Sequence, residues 1–62
     1  ALDAYRYAEE LDPTDGGIRV NAALAYYRLG KLSEARAKYR EATQLQKELS
    51  TQYRAFARLL AN

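Results

Sequence analysis

Catalysis near neutral pH needs groups that titrate, attack or coordinate there, and this 62-residue chain is short of all of them. It contains no His and no Cys, so it holds no Ser-His-Asp or Cys-His set, no thiolate metal site and no disulfide framework. Five of its eight acids, Asp3, Glu9, Glu10, Asp12 and Asp15, crowd into the first fifteen residues, mostly at solvent-facing helical positions. None is placed as a general base, and Gly16-Gly17 reads as a helix connector rather than a phosphate loop. The sequence therefore implies no catalytic residue, no metal and no cofactor. The chemistry that remains is recognition, by six tyrosines (5, 7, 26, 27, 39 and 53) and ten Lys or Arg.

The net charge of +2 conceals an uneven distribution. Residues 1–15 carry five acids against Arg6, a charge of −4, whereas residues 16–62 carry nine basic residues against Glu34, Glu41 and Glu48, a charge of +6. Such a distribution most simply marks solvated helix faces; its functional reading is an electrostatic bias toward acidic partners or head-to-tail self-association. Length limits the fold to one domain, since a chain this short buries only about 60% of the surface its unfolded form exposes. No apolar run approaches the roughly 18 residues of a membrane span. The chain opens at Ala1 in what reads as mid-helix, without Met or a leader pattern, as expected of a soluble segment of something longer.

The elements that must position these residues are helices. Residues 1–11 lack a breaker and place Ala1, Tyr5, Ala8 and Leu11 on one face. Pro13 and Gly16-Gly17 end that helix, and Asp15 is suited to cap the next one. The second helix is expected from Gly17 or Ile18 to Leu29, with Ala22, Ala23, Tyr26 and Leu29 on or near its buried face. Gly30 is suited to the left-handed turn that follows, and Ser33 is a candidate cap for a third helix carrying Ala35, Tyr39, Ala42 and Leu45. A connection this short makes the two helices antiparallel. Beyond Leu45, a single helix from Ser33 to about Ala61 and a fourth helix starting near Ser50 both fit the periodicity. The absence of a breaker favours the continuous helix.

A shift of 34 residues superimposes Ala1 on Ala35, Tyr5 on Tyr39, Arg6 on Arg40, Ala8 on Ala42 and Leu11 on Leu45. The same shift puts Ala23 on Ala57 and Tyr26 on Leu60. Small and aromatic residues recurring at a fixed period mark a repeated packing unit. On these residues the chain resembles the tetratricopeptide-repeat family, whose unit is two antiparallel helices in 34 residues. Ala23, Tyr26, Ala35, Tyr39 and Ala42 occupy the family's small and aromatic positions, and Pro13 its helix-ending proline. Tyr53, Phe56 and Ala57 fit the next first helix. The implied fold is all-α, a helical-repeat fragment of three to four helices: 1–15 the second helix of a partial repeat, 16–49 a complete repeat, 50–62 a terminal helix. Departures are Arg19 where the family has a large aromatic, Ala22 for Leu, Ala23 for the commoner Gly, and Lys47 for the closing proline.

The resemblance implies a protein-interaction module whose groove is lined by the first helix of each unit. The positions carried over are Gly17, Val20, Asn21, Leu24, Tyr27 and Arg28, followed by Thr51, Arg54, Ala55 and Arg58. Asn21 coincides with the asparagine that fixes an extended peptide in family members. The basic pair of chaperone-tail binders is missing, because Thr51 and Ala55 stand there, which leaves Arg54 and Arg58 to meet an acidic peptide differently. Tyr27 points about 100° away from the core residue Tyr26, and so is the leading aromatic contact. The alternative is a structural role, with exposed repeat faces covered in a homo-oligomer. Nucleic-acid binding ranks last, because the basic residues are scattered around the helices and four of the six tyrosines fall on core positions.

Overall fold

In a computed structural model, which describes residues 2–61, the chain folds as helices α1 (Leu2–Leu11), α2 (Gly16–Arg28), α3 (Leu32–Leu45), α4 (Leu49–Gln52) and α5 (Arg54–Ala61). Ala1, expected on the buried face of the first helix, lies outside the described residues. Pro13 stops α1, and Asp12 folds its carboxylate onto the Thr14 hydroxyl at 2.9 Å. Asp15, in extended conformation, accepts the Gly17 N–H at 2.9 Å and caps α2. At the other end, Lys31 N–H bonds to Tyr26 C=O and Gly30 N–H to Tyr27 C=O, with Gly30 at φ +79°. That crossed pair of bonds is a Schellman ending. It reverses the chain in two residues and sets α3 antiparallel to α2. The cap of α3 is Lys31 rather than Ser33, which lies inside the first turn and makes no capping bond.

A continuous third helix does not form. Gln46 is extended (φ −141°, ψ 103°), and the chain turns back through α4 and α5 beside α3. Two interactions outweigh the helical bonds lost. Gln46 Oε1 accepts the N–H of Gly16 at 2.9 Å. Leu49, Phe56 and Leu60 all become buried, each contributing about 1.5–3 kcal/mol that a lone extended helix would forgo. α4 and α5 remain nearly one helix, since Tyr53 N–H reaches Leu49 C=O and Ala57 N–H reaches Tyr53 C=O across the bend at Tyr53. Arg36 donates from Nε to the carbonyl of Leu60, placing a cation at the C-terminal end of α5.

The core has two parts. Ala23 and Ala35 close one end with Phe56 and Leu60, while Val20 and Ala42 close the other with Leu49. Leu24, Tyr39 and Tyr53 pack against both. Leu11, Leu29 and Leu45, expected to face the core, are instead exposed, Leu11 at 69%. Each stands at or just past a helix end, where the chain leaves before a neighbour can cover it. α1 is held to α2 and α3 by charge. Arg19 lies 2.9 Å from Glu41 and 3.5 Å from Glu9, and Lys38 lies 3.0 Å from Glu9.

Gly16 sits where a Cβ would come within 2.7 Å of Leu49 Cδ1 and 2.9 Å of the Ala42 carbonyl. A Cβ on Gly30 would meet nothing within 4 Å among the described residues. Gly16→Ala should therefore cost about 1–3 kcal/mol by overpacking, and Gly30→Ala about 1 kcal/mol through the positive φ alone. Urea titrations of the two variants check the order. The Tyr39 hydroxyl is buried with no hydrogen-bond partner among the described residues, and burial raises its pKa above the ordinary tyrosine value. Its proton is held more tightly in the folded state, so stability is full below about pH 10 and falls as pH rises beyond it. Tyr39→Phe should be neutral or stabilising by about 1 kcal/mol at pH 7. It should also remove part of the alkaline loss, read by thermal melts across that range.

Candidate protein-interaction surface

The molecule spans 31 × 25 × 14 Å between Cα extremes, and its short dimension is about that of two packed helix layers, since one helix is roughly 4.6 Å across its Cα atoms and packed axes lie about 8–10 Å apart. The candidate side chains are therefore placed one by one. Tyr27, on the last turn of α2, is half-buried because its ring stands against Phe56 of α5, with centroids 5.7 Å apart and planes at 90°. Phe56 meets Tyr39 of α3 in the same way, at 5.7 Å and 85°. Edge-to-face contacts of this kind add about 0.5–1.5 kcal/mol each beyond burial and fix ring orientation. The Tyr27 ring is thereby held against α5 rather than left as a free side chain.

Around it the turn from α2 to α3 and the end of α5 enclose a shallow depression of about 600 Å³, lined by Tyr27, Arg28, Gly30, Leu32 and Leu59. Of the residues anticipated from the sequence, Tyr27 and Arg28 meet here. Asn21, Arg54 and Arg58 are exposed, but they do not line this depression. Leu24 is half-buried and packs against both core clusters. Val20 has to be removed from the candidate surface. It is 0% exposed, sealed between Ala42 and Leu49, because the return of the chain at Gln46 lays Leu49 over it. Gly17 spends its N–H on the Asp15 cap. Thr51 and Ala55 are exposed.

Leu59 and Leu32 were not anticipated. The adjacent pair Leu59-Leu60 held the signal, since two neighbouring leucines on a short helix cannot share one face. Leu60 is buried and Leu59 is 51% exposed. Arg28, Arg54 and Arg58 are all exposed, and none forms an ion pair among the described residues. Chemically the arrangement offers an aromatic edge, two leucines and guanidinium donors, a set suited to binding rather than to bond breaking. Among the described residues no group of His, Cys, Asp or Glu is assembled that could hold a metal ion. No helix there is long and apolar enough to cross a membrane.

The model of the tetratricopeptide repeat family matches residues 18–49, about half of the chain, covering α2, the turn and α3. No curated protein and no solved structure matches the chain. Tetratricopeptide repeats mediate protein–protein interaction, and the family is typically non-enzymatic. The matched segment, the antiparallel α2–α3 pair and the small residues between them establish that this chain belongs to the tetratricopeptide-repeat family.

Proposed function

We propose that this chain captures an extended or helical segment of a partner protein on the side formed by α2 and α5, centred on Tyr27 and Arg28. The observation that carries this reading is the Tyr27 ring, pinned edge-on by Phe56 beside the exposed Arg28 and Leu59. Pre-ordered aromatics beside a guanidinium are the groups that dominate protein interfaces, because little side-chain entropy is lost when they engage. Leu24 supplies apolar surface along α2, and Asn21, whose exposed side chain makes no hydrogen bond among the described residues, has its amide free for a partner's backbone. Arg28, Arg54 and Arg58 select for acidic segments by attraction that acts before contact. The partner is accordingly a protein carrying a short segment in which aliphatic residues alternate with Asp or Glu.

Peptides selected by display against the immobilised protein provide the test. Asn21→Ala and Arg28→Glu alter exposed side chains and should leave helicity unchanged while weakening capture of acidic peptides about tenfold each. Tyr27→Ala should abolish capture, as expected of a central aromatic worth at least about 2 kcal/mol. Affinity measured by titration calorimetry, with circular dichroism on the same samples, separates loss of binding from loss of fold. Selected peptides that bind all three variants as they bind the parent would sink this assignment.

A further inference from the structure

A second recessed surface is lined by different residues. Between α3 and α5 runs a groove of about 310 Å³ whose floor is Tyr39, Ala57, Leu60 and Ala61 and whose α3 rim carries Arg36 and Arg40. Both arginines are exposed, and Arg40 makes no side-chain ion pair among the described residues. Cations on one rim and an apolar floor call for an amphipathic helix with acids along its edge. The chain itself carries one. On α1, the residues Asp3, Tyr7, Glu10 and Leu11 are all exposed and fall at i, i+4, i+7 and i+8, a single helical stripe. Tyr7 at 64% and Leu11 at 69% are the two most exposed large apolar side chains described. The opposite side of α1 is occupied, with Glu9 bonded to Lys38 and Arg19. Its ten residues span about 15 Å and the eight of α5 about 12 Å, so helix and groove match in length.

We propose that α1 of a second copy of this chain docks in the α3–α5 groove, with Asp3 and Glu10 against Arg36 and Arg40 and Tyr7 and Leu11 over Ala57 and Leu60. The contact joins different surfaces of the two copies, so it is head-to-tail and can propagate into short linear assemblies. It sets the acidic first fifteen residues of one copy against the basic remainder of another. It leaves Tyr27 and Arg28 open, so capture of a partner and self-assembly are independent properties.

Sedimentation of the parent protein over a range of concentrations, at low and high salt, should show a mass that rises with concentration and falls with salt. Glu10→Lys and Arg40→Glu change exposed side chains and should each weaken self-association about tenfold with helicity retained. An equimolar mixture of the two should regain association, because the intact α1 of the Arg40→Glu protein meets the intact groove of the Glu10→Lys protein. A parent that stays monomeric throughout would overturn the proposal, even if the groove then took up an added acidic amphipathic peptide. So would association that ignores both substitutions, or a mixture no more associated than its components.

Discussion

α2 and α3 can approach closely only because the residues between them have almost no side chain. Ala22, Ala23, Ala35 and Ala42 are buried on the two helices, and at the end of the pair Gly16 stands where even a methyl group would strike the Ala42 carbonyl. Alanine contributes little apolar area of its own, so the pair gains its stability from what the approach makes possible. Two helices packed so tightly leave a trough along one side. Phe56, Leu60 and Leu49 fill it, and these are the large buried residues that a chain of this length can supply. The turn at Gln46, the bend at Tyr53 and the placement of α5 all follow from filling that trough.

Polar groups take over where the repeat pattern lacks its usual residue. Arg19 stands in place of a large aromatic, and it joins the first three helices through Glu9, Glu41 and the carbonyl of Pro13. A network of partly buried charges is worth more than the same pairs scattered on a surface, though it weakens with salt as an aromatic plug would not. Gln46, beside the Lys47 that replaces a proline, ends α3 by a side-chain bond to Gly16 rather than by a missing N–H. The helix end survives the substitution because the backbone of α2 offers an uncapped donor at the right place.

What could be read from the sequence, and what could not, divides along the same line. The Asp15 cap, the stop at Pro13, the left-handed Gly30 and the alanine and tyrosine faces of α2 and α3 are local or periodic features, and they are legible because neighbours in sequence decide them. The end of α3 was not, since Gln46 is extended on account of Gly16, thirty residues away, and no local breaker announces it. The burial of Val20 has the same origin, because Leu49, distant in sequence, folds over α2. Tyr27 and Arg28 stay at the surface, and their depression owes its far wall to Leu59, which only the return of α5 brings near.

The proposed recognition surface thus exists only while α5 is held against α2 and α3 by Phe56. Native-state amide hydrogen exchange tests that dependence most directly. Amides of α5 around Phe56 and Leu60 should open with the same free energy as those of α2 and α3, as members of one cooperative unit, with α1 opening more easily. Exchange of α5 at the rate of an unprotected chain, beside a protected α2–α3 pair, would contradict the account, because Tyr27 would then have no fixed wall to stand against.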